Sequence, residues 1–333
     1  IKNTLIILDE PLAGLSYKEQ IVIEKNILSL IKDHTVLVID HHENFTKSAS
    51  NIIALGEGSG FKGGSLIDWR EYLKKQNIQT TWKKRSIEKI CNYHSKVSVY
   101  QFKGVNISLA LGRNNLITGR SGIGKSILLR EYFPRLFDNY IYISQKNLTG
   151  NSHSFVATVL DVYGEIIDLF AKRFNKKKTF FSNLVGCEGA CPTCSGSGRI
   201  VYNKKRDEEV SFECSECKGS GFNISLKKYL IKGQSIFDLW EMTIDEAAIF
   251  FADNPKIVKS LKCAQKLLLG HLTLGQNTST LSGGENIRIK LAKIHKTTAD
   301  VCGIDEPFKG LSKTEIHSIA MFINSLVDEG KTV

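Results

Sequence analysis

No apolar run in these 333 residues approaches the ~20 that a membrane-crossing helix needs. No signal-peptide pattern opens the chain either. No membrane-crossing helix is therefore expected, and the two C-x-x-C cysteine pairs, which a transporter-type ATPase does not need, argue against a membrane partner. An initiator Met is lacking too: Thr4-Leu5-Ile6-Ile7-Leu8 already reads as a buried strand, and the chain is expected to be a fragment truncated at both ends. Acidic side chains run short, 34 against 45 Lys and Arg, which leaves a formal charge of +11. That balance favours a polyanionic partner such as nucleic acid. Disulfides are not expected. Of eight cysteines, four stand in two C-x-x-C pairs, which suits a reducing, cytoplasmic compartment and a metal site.

What is present centres on Gly119-Arg120-Ser121-Gly122-Ile123-Gly124-Lys125-Ser126, which fits the phosphate-binding pattern G-x-x-x-x-G-K-[ST]. The apolar run Asn115 to Thr118 before it predicts a strand, and Ile127 to Tyr132 after it a helix. Glycines let backbone N–H groups close around phosphates at a helix N-terminus. Lys125 is then placed on the β/γ-phosphates of ATP and the Ser126 hydroxyl on Mg²⁺. Upstream, Val97 to Phe102 and Val105 to Leu109 alternate at strand period. Downstream, Tyr140 to Ser144 reads as a strand ending at Gln145, a residue able to reach Mg²⁺ and the attacking water.

The opening strand ends in Asp9-Glu10-Pro11. An apolar strand ending in Asp-Glu is the Walker B arrangement, with the Asp holding Mg²⁺ and the Glu polarising water. A helix over about Tyr17–Lys32 follows, then a strand, Thr35 to Ile39, and His41 just beyond it in reach of a γ-phosphate. Ile52 to Leu55 reads as a further strand. Residues 301–315 restate this opening: Asp305-Glu306-Pro307 answers Asp9-Glu10-Pro11, and Gly310-Leu311-Ser312 answers Gly14-Leu15-Ser16. Lys331-Thr332-Val333 answers His34-Thr35-Val36. The chain is expected to hold the tail of one ATPase module and most of a second. Between them, residues 70–100 read as a basic connector with Lys83-Lys84-Arg85, a solvated linker rather than a DNA site.

Cys191-Pro192-Thr193-Cys194 and Cys214-Ser215-Glu216-Cys217 are C-x₂-C pairs separated by 19 residues, each followed by x-Gly-x-Gly. The spacing suits four thiolates around tetrahedral Zn²⁺. Cys187, a fifth nearby thiol, is the less well-spaced candidate. Lys172-Arg173, Lys176-Lys177-Lys178 and Lys204-Lys205-Arg206 flank the module, with Phe174, Phe180, Phe181 and Tyr202 among them. A phosphate-contacting surface and a solvated face over core aromatics are both open readings here.

Finally, Thr280-Leu281-Ser282-Gly283-Gly284-Glu285 precedes a helical run to Ile294. Ser282 is a natural N-cap and Glu285 completes a capping box. The Ser282-Gly283-Gly284 backbone forms a second anion site. An L-S-G-G-E stretch about twenty residues before a Walker B strand is the signature of ABC-type ATPases.

Taken together, the P-loop, Gln145, L-S-G-G-E, the two D-E-P turns, His41 and the zinc knuckles resemble the UvrA family, the damage-sensing ATPases of bacterial nucleotide excision repair. Further matches are the D-E-P-L-A-G-L opening, Gly112 to Ser126, Phe180-Phe181-Ser182-Asn183, Met242 to Ala247 with Phe250-Phe251, Gly270 to Gly275 and Leu281 to Lys293. The chain departs from that family at Ile123 and Ser126-Ile127, over Lys146 to His153, and at Asn286-Ile287, which suggests a divergent paralogue. The resemblance implies an α/β, ABC-type P-loop fold. Residues 1–75 would be the end of a first module, 76–96 a connector and 97–150 the P-loop lobe of a second. Residues 151–275 would be a signature and insertion domain with the zinc module at 187–222, and 276–333 the signature helix and Walker B part. It also implies two modules facing head to tail, each ATP lying between one P-loop and the opposite signature. Neither such site would be complete in this chain, so weak hydrolysis is expected. Duplex DNA, a UvrB-like helicase and a second copy in a homodimer are the implied partners. The alternative is a UvrA-like ATPase serving drug resistance or regulation without lesion recognition.

Overall fold

A parallel strand pair opens the chain. β1 (Leu5–Asp9) pairs with β2 (Thr35–Ile39) in register from Leu5↔Thr35 to Asp9↔Ile39, and α1 (Tyr17–Leu30) supplies the crossover that parallel pairing requires. Side chains alternate across the pair, leaving Leu5, Ile7, Leu37 and Ile39 exposed on one face. The computed structural model describes the whole chain except residues 1–2, 13–14, 16, 41–44, 46–47, 57–63, 77–81, 121, 145, 147, 149–153 and 204–208. His41, Ser121, Gln145 and the Lys204-Lys205-Arg206 run therefore lie outside the described residues.

β3 (Ala54–Leu55) and β4 (Leu66–Ile67) form a short antiparallel pair, shorter than the strand expected from Ile52, and α2 (Trp69–Gln76) follows. The basic connector is not simply solvated. Trp82 sits edge-on to Phe308, with ring centroids 6.1 Å apart. Arg85 donates to Asn324 O at 3.1 Å and to Asp328 Oδ1 at 2.9 Å, and Lys83 also meets Asp328. β5 (Ile90–Val99) begins inside the expected connector and pairs antiparallel with β6 (Phe102–Ala110). The run Val97 to Phe102 thus folds around a hairpin turn, with Tyr100 in the left-handed region at φ 51. Alternation at strand period continues through a tight turn, so period alone did not place it.

Asn115 to Thr118 does not form a ladder strand. The Asn115 side chain instead exchanges two hydrogen bonds with Ala110, through Oδ1 at 2.9 Å and Nδ2 at 3.0 Å. Its backbone N–H donates to Val333 O at 2.7 Å. The expected helix starts as α3 (Lys125–Ile127) and widens over Leu128–Tyr132, where Phe133 N–H reaches back to Leu128 O. Pro134 follows in a tighter turn, Phe133–Arg135. Proline restricts the residue before it and lacks a donor, so regular α winding ends here. β7 (Tyr140–Ile143) completes this segment. Leu109, Leu129 and Phe133 are its buried centre, with Ile107, Ile117, Tyr140 and Tyr142 packed around them.

A second compact unit spans 146–296, while 1–145 and 297–333 make the first. The second unit is mainly helical: α4 (Val156–Val159), α5 (Tyr163–Arg173), α6 (Lys178–Phe181), the hairpin β8 (Arg199–Asn203) and β9 (Glu209–Glu213), α7 (Ile236–Glu241), α8 (Ile244–Phe250), α9 (Pro255–Lys266) and α10 (Gly283–Ile294). Capping boxes start three of these helices, at Ser235/Asp238, Thr243/Glu246 and Ser282/Glu285. Phe170, Phe181, Phe222, Leu239, Ile244 and Ile257 are fully buried, each contributing roughly 1.5–3 kcal/mol by burial.

Back in the first unit, β10 (Val301–Ile304) pairs parallel with β7, and α11 (Lys313–Asp328) follows from a Ser312/Glu315 capping box. The sequence repeat recurs here rung by rung. Thr35 N–H donates to Thr4 O at 3.1 Å in the first copy, and Thr332 N–H to Asp300 O at 2.8 Å in the second. Leu5↔Thr35 is answered by the parallel bridge Val301↔Thr332.

Candidate functional site

The P-loop is built by the hairpin and the helix behind it. Gly122 and Gly124 take positive φ, 76 and 102. A Cβ on Gly124 would stand 2.0 Å from Gln101 Nε2, and that same amide donates to Ile123 O at 3.1 Å. The hairpin turn Tyr100–Gln101 thus braces the loop, and the left-handed backbone at position 124 favours glycine. Lys125 Nζ donates to Gly119 O at 2.8 Å and to Arg120 O at 3.0 Å. Ser126 stands partly buried at the first turn of the helix. This glycine cradle with a lysine at its lip has the chemistry for the phosphates of ATP. Ser126 and Asp305 carry oxygen atoms that could hold Mg²⁺.

Asp305 ends β10 and is 6% exposed. Its N–H donates to Ile143 O at 3.0 Å, and its Oδ2 accepts from the Tyr142 hydroxyl at 2.9 Å. Burial, with the Asp305 carboxylate beside it, pushes the Tyr142 phenol well above its ordinary range, so it remains a donor. Tyr140, two residues earlier on the same face of β7, donates to Leu129 O at 2.8 Å. The helix after the P-loop, β7 and β10 therefore belong to one packed assembly. Glu306 and Glu10 both take positive φ, 45 and 43. Left-handed backbone at a non-glycine residue costs about 1 kcal/mol or more and is concentrated at functional turns. Asp9, unlike Asp305, is exposed, and Glu10 N–H donates to Ile39 O at 2.8 Å. Glu10 Oε2 lies 3.4 Å from where a Cβ on Gly310 would sit.

In the second unit, Ser282 caps α10. Its N–H donates to Glu285 Oε2 at 2.8 Å, and Glu285 N–H donates back to Ser282 Oγ at 3.3 Å. His271 Nε2 donates to the other carboxylate oxygen at 2.8 Å. That bond, reinforced by Ser282 and opposed by burial, lowers Glu285 to about 2. Gly283 and Gly284 follow at the open N-terminus. Along α10, Asn286, Arg288 and Lys290 are buried polar residues. Arg288 donates to the Leu267 and Leu268 carbonyls at 3.4 and 3.3 Å, beyond the last turn of α9. Asn286 Oδ1 accepts from Leu148 N–H at 3.0 Å, and Lys290 Nζ donates to Lys146 O. Leu148 and Asn286, each from a stretch that departs from the family pattern, are therefore in contact.

The four knuckle cysteines converge. Cys191, Cys194, Cys214 and Cys217 are all buried, with their sulfurs within 4.8 Å of one another. Cys191 Sγ lies 3.9 Å from Cys214 Sγ, and Cys194 Sγ 3.7 Å from Cys217 Sγ. Those separations are far beyond a disulfide bond. They match the edge of a tetrahedron with ~2.3 Å metal–sulfur bonds, about 3.8 Å. Gly198 and Gly221 N–H donate to Cys194 Sγ at 3.2 Å and Cys217 Sγ at 3.3 Å. The x-Gly-x-Gly tails interlock: a Cβ on Gly198 would meet Gly219 O at 2.2 Å, and one on Gly221 would meet Gly196 O at 2.2 Å. Burial pushes the Cys191 and Cys217 thiols up, and four thiolates this close would repel one another without a cation among them. The donor set fits Zn²⁺. Cys187 is not in the group.

The sequence reading passed over Tyr142, Gln101 and His271. Tyrosines two apart on a strand share a face, which was a usable signal for Tyr142. Nothing in the sequence marks Gln101 or His271 before the hairpin and the loop into α10 are folded.

A sequence model of the ABC transporter family matches residues 102–309, more than half of the chain. Over its whole length the chain is 31% identical to the UvrABC system protein A of Staphylococcus aureus (strain COL) and 32% identical to that of Borreliella burgdorferi. It spans 40% of the length of each. The crystal structure of UvrA2 from Deinococcus radiodurans is similar with a TM-score of 0.85 at 25% identity, covering all of this chain and 46% of that one. Among the described residues no helix is long and apolar enough to cross a membrane. The family model covers more than half of the chain, and the chain belongs to the ABC transporter family.

Proposed function

We propose that this chain is an ATP-binding and ATP-hydrolysing part of a UvrA-type protein whose nucleotide state controls its grip on duplex DNA. The observation that carries the ATPase reading is Asp305 at the end of β10, in the same packed assembly as the helix that begins with Lys125-Ser126. In this reading Gly119, Ser121, Gly122, Gly124 and Lys125 hold the phosphates of ATP. Ser126, Asp305 and Gln145 serve Mg²⁺, and Glu306 polarises the attacking water. Asp9, Glu10 and His41 play the same parts for the first module. Ser282, Gly283 and Gly284 bind the γ-phosphate of a nucleotide held by an opposing P-loop. Zn²⁺ on Cys191, Cys194, Cys214 and Cys217 is structural, since four protein ligands close the tetrahedron.

The DNA part of the reading is supported by a basic face in the second unit. Lys172, Arg173, Lys176, Lys177, Lys227 and Lys228 are exposed and form no ion pair with the described residues. Nearby is an aromatic cluster in which Tyr229 stands 5.0–5.4 Å from Phe174, Phe180 and Phe181, while Lys227 lies over Phe237. Lys176 lies over Phe180 and Lys228 over Tyr229. Cations on a rigid aromatic base suit phosphate contacts, which position a duplex without reading its sequence. Preference for damaged duplex would come from its deformability. Excision repair with a UvrB-like helicase, a homodimer in the longer protein and a cytoplasmic location complete this reading. Because Asn286 and Lys290 fasten the divergent Lys146–Leu148 segment to α10, a resistance or regulatory ATPase without lesion recognition is the second reading.

The test compares wild type with Lys125→Ala for binding of Mg·ATP and of lesion-bearing and intact duplex, at two salt concentrations. Loss of about tenfold or more in nucleotide affinity is expected from the variant, because charge-assisted bonds to phosphate disappear. Duplex binding that responds to nucleotide and prefers the lesion supports repair. Unchanged nucleotide binding overturns the ATPase reading, and no duplex binding at either salt moves the function to the second reading.

A further inference from the structure

β7 points two hydroxyls in one direction. Tyr140 and Tyr142 share a face of the strand because side chains alternate, and each reaches a neighbouring element. Tyr140 meets Leu129 O, and Tyr142 meets Asp305 Oδ2 across the β7–β10 pair. Gly303 makes room for this arrangement: a Cβ there would stand 1.9 Å from the Tyr140 hydroxyl. Asp305 is buried, and a buried carboxylate oxygen left without a donor is costly. Tyr142 satisfies Oδ2, while no hydrogen bond to Oδ1 is found among the described residues.

We propose that Tyr142 is a positioning residue for the metal-binding carboxylate: its phenol pins Asp305 through Oδ2 and leaves Oδ1 as the oxygen open to the Mg²⁺ that enters with ATP. Hydrogen-bonded partners of this kind fix the orientation of a metal ligand without touching the metal. Tyr142 also lies three residues before Gln145 in the sequence, and its hydroxyl ties β7 to Asp305 just past β10. The inference rests on the Mg·ATP reading of the P-loop.

The test uses the 333-residue chain as wild type, Tyr142→Phe, Asp305→Asn and the double variant. Mn²⁺ replaces Mg²⁺ and is followed by electron paramagnetic resonance with AMP-PNP present. AMP-PNP affinity is measured separately in EDTA. Tyr142→Phe is expected to weaken Mn²⁺ about tenfold, the lower end of what losing such a partner costs. Its metal-free AMP-PNP affinity and its circular dichroism should match wild type, which a general loss of structure would not allow. In the Asp305→Asn background the same change should alter Mn²⁺ binding less than about twofold, because coupled residues are not additive. Wild-type Mn²⁺ affinity in Tyr142→Phe overturns the inference, as does an equal loss with and without the Asp305 carboxylate. If wild type binds no AMP-PNP with or without metal, the P-loop reading fails and this inference falls with it.

Discussion

Glu285 carries a charge in a confined place, bonded to His271, Ser282 and the N-terminal turn of α10. Its carboxyl lies at about 2, against 4.5 ordinarily. An unfolded chain therefore takes up the proton first as pH falls. The stabilisation is fully present above about pH 4.5 and is lost on the way down to about 2. Glu285→Gln should lower stability near neutrality by on the order of 1–3 kcal/mol. Urea unfolding of the two proteins between pH 7 and pH 3 should show the gap narrowing below 4.5, and a gap independent of pH would contradict the account. At this scale the sequence was uneven. Glu285 as the capping partner of Ser282 was legible from spacing, because a capping box is local. His271 was not, since its approach depends on the fold of the loop after α9. Lys125 was legible as a phosphate ligand, whereas its brace Gln101 sits on a hairpin turn that strand periodicity ran through.

Among the elements, the convergence of the two cysteine pairs was the most legible, because tetrahedral thiolate geometry leaves little freedom in spacing. The glycines after each pair were expected to allow tight turns. The fold adds that they also interlock the two knuckles, Gly198 on Gly219 and Gly221 on Gly196. Cys194→Ser should remove one ligand of four and loosen residues 187–222, because metal binding contributes on the order of 10 kcal/mol to folding such modules. Zinc content per chain and limited proteolysis would measure this. One zinc in the wild type with rapid cleavage near the β8–β9 hairpin in the variant is expected, and a zinc-free wild type that resists cleavage would rule the metal out. The segment Asn115 to Thr118 shows where element reading stopped. Its apolar residues suggested a strand, and Ile117 does pack inward, yet Leu116 is 86% exposed. Hydrogen bonds come from the Asn115 amide and from Val333, a partner 218 residues away that no local pattern announces.

For the molecule as a whole, the repeat of the Asp-Glu turns was readable because both copies keep strand, turn and helix in the same order, and the same rungs follow. The basic segments could not be sorted by composition alone, since charge does not say what it faces. Lys83 and Arg85 turned out to be occupied with α11, while the lysines around Tyr229 are not. This separates two contributions to the +11 charge. If the Tyr229 face is where duplex docks, each lysine that meets a phosphate releases counterions and steepens the salt dependence of affinity by about 0.9 in log–log slope. Replacing Lys176, Lys177, Lys227 and Lys228 together by Gln should then reduce that slope by roughly 3 to 4. Replacing Lys83, which meets Asp328 of α11, and its neighbour Lys84 should leave it nearly unchanged. All six positions are exposed, so little loss of stability is expected from either set. Duplex affinities measured across a salt series decide the matter. Equal slopes for the wild type and the four-lysine variant would place the DNA contacts elsewhere, and the aromatic cluster under Lys176 and Lys228 would then be only the core that holds α5 and α6 together.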